Sequence, residues 1–128
     1  MPPKKPKILI IDDDKELTAA FASFLREGGY LPLAAHDAVQ GLMFAQRETP
    51  DLILLDMMMP AGGGMGMFDK LARSPKTQAI PVLVVTATTD LKTERDAMGH
   101  GAAGVLHKPV DREVLLRTVK ELLDAAEA

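Results

Sequence analysis

The stretch ILIIDDD, residues 8–14, joins four consecutive aliphatic residues to three aspartates. A continuous aliphatic run, rather than an alternating one, is typical of a strand that is covered on both faces, as in a parallel sheet. Four further apolar runs follow in the sequence, at residues 31–35, 52–55, 82–85 and 105–106. Because Pro32 cannot donate to a central hydrogen-bond ladder, the second of these five predicted strands should lie at an edge of the sheet.

Amphipathic segments separate the apolar runs and are predicted to form helices. They cover residues 15–27, 37 to before Pro50, 65–73, 90–98 and 111–125. Asp14 is a suitable N-cap for the first helix, which Gly28 and Gly29 should end. The apolar residues of the second segment are Val39, Leu42, Met43 and Phe44. In the fourth segment, which is nearly all polar, the residues able to face a core are Leu91, Ala97 and Met98.

The strict alternation of strands and helices predicts a doubly wound α/β fold with helices on both faces of the sheet. With the second strand at an edge, five parallel strands suit the order 2-1-3-4-5, the flavodoxin-like arrangement, here with five helices. A chain of 128 residues can bury about two-thirds of its surface, which is enough for one core but not for two domains. We assign residues 1–6 to a solvated basic tail and 7–125 to the domain, with no output domain. The Pro- and Lys-rich start through Lys7 is expected to bury nothing.

The composition excludes several classes of protein. The chain has no cysteine, which excludes a disulfide framework and a thiolate nucleophile. With 15 Lys+Arg against 18 Asp+Glu, the formal charge is −3, so the chain is a poor candidate for direct binding to nucleic acid. No apolar run approaches membrane-spanning length, and the first residues lack the apolar segment of a signal peptide. We therefore expect a cytoplasmic protein that does not contact a membrane.

Polar residues stand at the ends of four predicted strands. Asp12 and Asp13 follow the first strand, and Asp56 follows the third. Thr86 ends the fourth strand, and Lys108 follows the fifth. In a doubly wound sheet, ligands bind beyond the carboxyl ends of the strands at the point where the strand order reverses. These side chains are therefore expected to converge on one pocket.

Three carboxylates and one ammonium group in a single pocket carry a formal charge of −2. Adjacent carboxylates repel one another unless a cation intervenes, and Mg²⁺ suits a site with few carboxylates and a phosphate-bearing substrate. Asp56 then has the placement of a carboxylate nucleophile that forms an aspartyl-phosphate. Taken singly, these residues have structural interpretations as well: Asp56 can start a turn, and Lys108 can be a solvated charge.

Four motifs carry a resemblance to a known family: ILIIDDD, LILLDMMMP with Gly64 following, VVTA and HKP. From Lys7 to about Leu123 the chain resembles the receiver domain of two-component response regulators. The resemblance implies that Asp56 is the phosphoacceptor and that Thr86 and Lys108 hold the phosphoryl oxygens. It also implies a Mg²⁺ site and a cis bond between Lys108 and Pro109. The implied metal ligands are Asp13 directly, Asp12 largely through water, Asp56, and the backbone carbonyl of Met58.

The same resemblance implies partners. The phosphoryl group would come from a phosphohistidine on a sensor histidine kinase or a histidine phosphotransfer protein. The signal would leave through the surface of the fourth helix, fifth strand and fifth helix, toward another protein or a second copy of this chain. The protein would not be an enzyme beyond promoting its own phosphorylation and dephosphorylation.

Two positions depart from the family pattern. Val105 stands where Tyr or Phe is usual, which puts the familiar aromatic switch in doubt. Ala61-Gly62-Gly63-Gly64 replaces the usual apolar-Asp-Gly after the proline, and such a glycine-rich loop is expected to be unusually mobile.

Three other interpretations remain open at this point. The first is a flavodoxin-like cofactor binder, although its phosphate loop would be rich in Ser, Thr or Gly rather than aspartate. The second is a metal-dependent phosphatase with an aspartate nucleophile, although that nucleophile usually follows the first strand. The third is a degenerate receiver that acts as a binding module, or a phosphate sink, which Val105 keeps possible.

Overall fold

Strands and helices alternate along the described part of the chain. The structure, a computed structural model, describes residues 4–59 and 63–127, with the side chains of 63–65 excepted. The elements are β1 (Lys7–Ile11), α1 (Lys15–Glu27), β2 (Leu31–Ala35), α2 (Ala38–Glu48), β3 (Leu52–Leu55), α3 (Gly63–Arg73), β4 (Val82–Thr86), α4 (Leu91–Gly99), β5 (Gly104–His107) and α5 (Arg112–Glu127). None of the described helices combines the length and the apolar character needed to cross a membrane.

The five strands form one parallel sheet in the order β2-β1-β3-β4-β5, which confirms the predicted topology. Pro32 lies in the edge strand β2, opposite Ile8, as expected for a residue without an N–H group. Ile11 lies opposite Leu55 across the β1–β3 ladder, so these two strands end at the same level. The residues that follow them therefore start from one edge of the sheet.

Two apolar cores cover the two faces of the sheet. Leu9, Ile11, Ile53 and Leu55 pack on the face covered by α2, α3 and α4. Alternate residues of the same strands pack on the face covered by α1 and α5; they are Ile8, Ile10, Leu52 and Leu54. Because both faces are buried, the strands need aliphatic residues at every position, which explains the continuous runs in the sequence.

The predicted helix starts are confirmed where a side chain caps the first turn. Asp14 accepts a hydrogen bond from the backbone N–H of Leu17 at 3.1 Å, and Asp37 accepts one from Gln40 at 2.7 Å. Helix α3 begins at Gly63, two residues before the predicted start. The prediction of a mobile loop is therefore wrong for Gly63 and Gly64, which lie in the first turn of α3. Residues 60–62 lie outside the described residues.

The apolar residues of two helices do not all face the core. In α2, Val39 is 81% exposed and Met43 is 50% exposed, whereas Gly41 and Ala45 are buried. In α4 the prediction for Leu91 and Met98 is wrong, because both are exposed and Ala97 is the one buried residue of this fully described helix. The buried positions of both helices are small residues, which allow a helix backbone to approach the sheet closely.

The start of the chain is more structured than predicted. The backbone N–H of Lys7 donates to Asp51 Oδ2 at 2.8 Å, and the carbonyl of Pro6 accepts from the N–H of Leu31 at 2.9 Å. The expectation that Pro6 belongs to a solvated tail and that Lys7 buries nothing is therefore wrong, since both residues are partly buried and hydrogen-bonded to the fold. Backbone pairing in a sheet needs no apolar side chain, so the hydropathy pattern does not reveal it.

Two helical glycines should respond in opposite directions to substitution by alanine. A Cβ at Gly41 would lie 2.8 Å from Ile11 Cδ1 and 3.0 Å from its Cγ2, whereas a Cβ at Gly66 would meet nothing within 4 Å. We expect Gly66→Ala to stabilise the protein by about 0.4–1 kcal/mol through helix propensity and reduced chain entropy. Gly41→Ala should destabilise the protein, because overpacking against Ile11 costs about 1–3 kcal/mol and outweighs the gain in helix propensity and chain entropy.

Urea denaturation of both variants beside the wild type measures this difference. Equal stabilisation by the two substitutions would show that α2 can move away from Ile11 without cost and would contradict the close packing described here.

Candidate functional site

The carboxyl ends of β1, β3 and β5 place three charged residues at one edge of the sheet. The ladder continues one residue past each strand: the N–H of Asp12 donates to Ala35 O at 3.0 Å, and that of Asp56 donates to Ile11 O at 3.0 Å. The N–H of Lys108 donates to Thr86 O at 2.9 Å. Backbone hydrogen bonds therefore hold the Cα atoms of these residues in place before any side-chain contact is considered.

The predicted aspartates form one cluster. One carboxylate oxygen from each of Asp12, Asp13 and Asp56 lies within 4.8 Å of the others. Asp12 is 3% exposed and Asp56 is 6% exposed, whereas Asp13 is open to solvent. The cluster thus has a buried floor and an accessible side.

Lys108 supplies a positive charge to this cluster. Its Nζ atom donates to Asp12 Oδ2 at 2.7 Å and to Asp56 Oδ2 at 3.4 Å. Burial alone would lower the pKa of Lys108, but the hydrogen bond to Asp12 and the charge of Asp56 outweigh it, so the pKa is raised. The ammonium group is therefore charged at neutral pH and bridges the two buried carboxylates.

Backbone amides orient the two buried carboxylates. The N–H of Asp14 donates to Asp12 Oδ1 at 2.9 Å, and the N–H of Met58 donates to Asp56 Oδ1 at 3.0 Å. Each aspartate thus uses Oδ1 for a backbone contact and presents Oδ2 to Lys108. The predicted ligand role of the Met58 carbonyl remains a prediction.

Thr86 is buried at the end of β4, and its hydroxyl oxygen accepts from the N–H of Thr88 at 3.4 Å. Within residues 4–59 and 63–127, no hydrogen bond joins this hydroxyl to the aspartates. The structure therefore joins Asp12, Asp56 and Lys108 by direct contact and places Asp13 close beside them, while Thr86 is held by the connection between β4 and α4. The Lys108–Pro109 peptide bond is cis, as the family resemblance implies.

Two interactions at this edge are not evident from the sequence. The family resemblance implies that Lys108 holds a phosphoryl group, whereas its ammonium is already paired with Asp12. The sequence also predicts no contact for His107, whose Nδ1 atom bonds the Thr88 carbonyl and whose Nε2 atom lies at ion-pair distance from Glu94 on α4. The strand register places His107 opposite Thr86, but periodicity alone does not show which way the ring turns.

The donor set fits a divalent cation. Carboxylate oxygens are hard ligands, and three of them share one small volume that is open at Asp13. Lys108 neutralises part of this charge, but one ammonium against three carboxylates leaves a formal charge of −2. The cluster therefore offers a donor set suited to a divalent cation, and its identity as a magnesium site stays a prediction.

Comparison with known proteins gives a consistent result. The model of the response regulator receiver domain family matches residues 8–120. Protein PilH from Pseudomonas aeruginosa is 36% identical over 118 residues, which cover 91% of this chain and 97% of PilH. The DNA-binding dual master transcriptional regulator RpaA from Synechocystis is 37% identical, and the match covers 92% of this chain and 49% of RpaA.

Solved structures agree with these relatives. A CheY-like receiver domain protein from Methanospirillum hungatei superposes with a TM-score of 0.90 at 28% identity, covering 97% of this chain and 98% of its own. The chemotaxis response regulator CheY4 of Vibrio cholerae superposes with a TM-score of 0.86 at 27% identity, covering 93% and 99%. The chain thus spans nearly all of PilH and about half of RpaA. With the acidic cluster and the strand order on the same scaffold, the chain belongs to the receiver domains of two-component response regulators.

Proposed function

We propose that this receiver domain accepts a phosphoryl group on Asp56 and passes the signal on through protein contacts. Receiver domains interact with histidine kinases or phosphotransfer proteins, and the proposed donor is a phosphohistidine on one of these. The observation that carries the proposal is the convergence of Asp56 with Asp12, Asp13 and Lys108 at the carboxyl edge of the sheet. The proposed setting is the cytoplasm, where such donors are found.

The proposed reaction is a transfer between two nucleophiles. A carboxylate oxygen of Asp56 attacks phosphorus while the bond from phosphorus to the donor imidazole nitrogen breaks, and the electron pair returns to that nitrogen. Attack by water on the aspartyl-phosphate later releases inorganic phosphate and restores the carboxylate. The chain thus promotes its own phosphorylation and dephosphorylation and turns over no other substrate.

Charge explains why the site needs a metal ion. The formal charge of −2 repels an incoming phosphoryl group, and a bound Mg²⁺ would supply positive charge beside Asp56. The residues proposed to hold it are Asp12, Asp13, Asp56 and the backbone carbonyl of Met58. Receiver domains generally bind Mg²⁺, and the acidic cluster of this chain offers the matching donor set.

Lys108 and Thr86 are proposed to stabilise the phosphorylated state. The Lys108 ammonium already lies 3.4 Å from Asp56 Oδ2, so it reaches a phosphoryl oxygen on that carboxylate with a small movement. The Thr86 hydroxyl accepts a hydrogen bond from Thr88 and, among the described residues, donates none, which leaves its hydrogen available. A displacement of Thr86 toward the phosphoryl group would carry the β4–α4 connection with it.

The surface formed by α4, β5 and α5 is the proposed output site. Leu91 and Met98 are exposed on α4, 68% and 49% respectively, and they flank Glu94 and Arg95. An apolar patch between charged residues suits a protein partner or a second copy of this chain. Direct contact with nucleic acid is not part of the proposal.

The second candidate function is a phosphate sink, a receiver that only drains phosphoryl groups from a kinase, and Val105 favours it. Val105 lies partly buried on β5 and packs against the core beside α4. A valine has no ring to swing inward and no hydroxyl, so the usual aromatic coupling between Thr86 and the output surface is missing. Membership of the receiver family disfavours the flavodoxin-like cofactor binder and the phosphatase.

Asp56 should be the phosphorylation site, and the reaction should require Mg²⁺. Incubation with a small acyl-phosphate donor should add one phosphoryl group to the wild type, as measured by intact mass. Asp56→Asn and treatment with EDTA should each prevent the gain. Asp69→Asn changes an exposed aspartate on α3 and is the matched control that should still react. A gain of one phosphoryl group by Asp56→Asn would place the acceptor elsewhere.

Loss of Lys108 should leave Mg²⁺ affinity intact or raise it, because its ammonium competes for Asp12. Lys108→Met should bind Mg²⁺ at least as tightly as the wild type, as measured by calorimetric titration. The same variant should lose roughly 1.5–3 kcal/mol of stabilisation of the phosphorylated state, the value of one charge-assisted hydrogen bond.

The control for this comparison is Lys120→Met, which removes an exposed lysine paired within α5. Abolished Mg²⁺ binding in Lys108→Met would show that Lys108 organises the carboxylates rather than competing with the cation.

A stable phosphoryl mimic distinguishes the output function from the sink. For an output function, backbone amide NMR shifts should change from Thr88 to Met98 and near Val105. Changes confined to the loops at Asp56 and residues 62–64 would favour the phosphate sink.

A further inference from the structure

The ring of His107 lies between a backbone carbonyl oxygen and a carboxylate. Its Nδ1 atom is 3.0 Å from the backbone carbonyl oxygen of Thr88, and its Nε2 atom is 3.4 Å from Glu94 Oε2. A neutral imidazole can donate one N–H to the carbonyl, but it carries no charge to pair with the carboxylate. A protonated imidazolium donates to Thr88 and brings its positive charge within 3.4 Å of the Glu94 carboxylate, so this geometry suits the charged form of the ring.

Glu94 is the charged partner of this ring, because the other charged groups nearby are directed elsewhere. In the described part of the chain, Glu94 is the one carboxylate that is ion-paired with His107. Asp90, on the connection before α4, is turned toward the N–H of Lys92. Lys108, the next residue of the chain, directs its ammonium to Asp12. The His107 and Glu94 side chains are 42% and 40% exposed, so protons exchange freely with solvent.

We infer that His107 is a pH-sensitive latch between β5 and α4. When protonated, it ties the end of β5 to the carbonyl of Thr88 and to the side chain of Glu94. When neutral, it can keep the hydrogen bond to Thr88 but loses the charge attraction to Glu94. The latch matters because Ala97 is the one buried residue in α4, so little apolar packing holds this helix on the sheet.

The latch also connects to the phosphorylation site through Thr88. The N–H of Thr88 donates to the Thr86 hydroxyl, its own hydroxyl accepts from the N–H of Asp90, and its carbonyl faces His107. When His107 is protonated and holds Thr88 and Glu94, it therefore resists displacement of the segment that follows Thr86. This consequence, unlike the latch itself, rests on the proposed function, and it predicts that mildly acidic conditions oppose the response to phosphorylation.

Hydrogen exchange of the unphosphorylated full chain tests the latch. Amide protection in α4, corrected for intrinsic exchange rates, should be roughly two- to fivefold greater at pH 5.5 than at pH 7.5, the size expected of a surface ion pair. Glu94→Gln and His107→Gln should each abolish this difference. Both side chains are about 40% exposed and belong to neither apolar core, so neither substitution disturbs the core.

His100→Gln is the matched control. His100 is the other histidine at α4, and its Nδ1 atom bonds the carbonyl of Asp96 in the same helix without a carboxylate partner. The pH difference should persist in this variant. Its loss in His100→Gln, or its persistence in Glu94→Gln or His107→Gln, would overturn the latch. Because no phosphoryl donor is present, the result is independent of whether Asp56 is the acceptor.

Discussion

The parallel hydrogen-bond ladder between β1 and β3 is the constraint on which the site depends. It continues one residue past β3, where the N–H of Asp56 donates to the carbonyl of Ile11, the last residue of β1. This contact holds the start of the Asp56 side chain beside that of Asp12. A register shift of one residue would reverse the face of every side chain in the strand and separate the carboxylates. The two apolar cores prevent such a shift, because each face of the sheet is buried against its own pair or trio of helices.

Electrostatics then governs what the site can do. Burying two carboxylates costs several kcal/mol for each ion unless a partner compensates. Two backbone amides and the Lys108 ammonium provide this compensation, and among the described residues no buried side-chain polar atom lacks a hydrogen-bond partner. The fold therefore tolerates a concentration of negative charge at one edge. That charge makes a divalent cation a favourable ligand and an unaccompanied phosphoryl group an unfavourable one.

The face that carries α4 is held less firmly than the site. The connection from β4 to α4 is built from side-chain to backbone hydrogen bonds by Thr86, Thr88 and Asp90. Such bonds are modest in net free energy and exchange with water at an exposed surface. A helix with one buried alanine and a polar connection is suited to move when a neighbouring contact changes. The same edge of the sheet thus carries carboxylates that are firmly held and a helix, α4, that is weakly packed.

Much of this protein was determined by local sequence. Continuous aliphatic runs predicted strands that are buried on both faces, Pro32 predicted the edge strand, and the residues at the strand ends predicted the acidic cluster. These inferences succeed because periodicity and strand-end position follow directly from backbone geometry. Tertiary structure decided which apolar helix residues face the core, as Val39 and Met98 show, because that choice depends on how closely each helix approaches the sheet. It also decided the pairing of Lys108 with Asp12 and of His107 with Glu94, since residues distant in sequence meet only after the strands align.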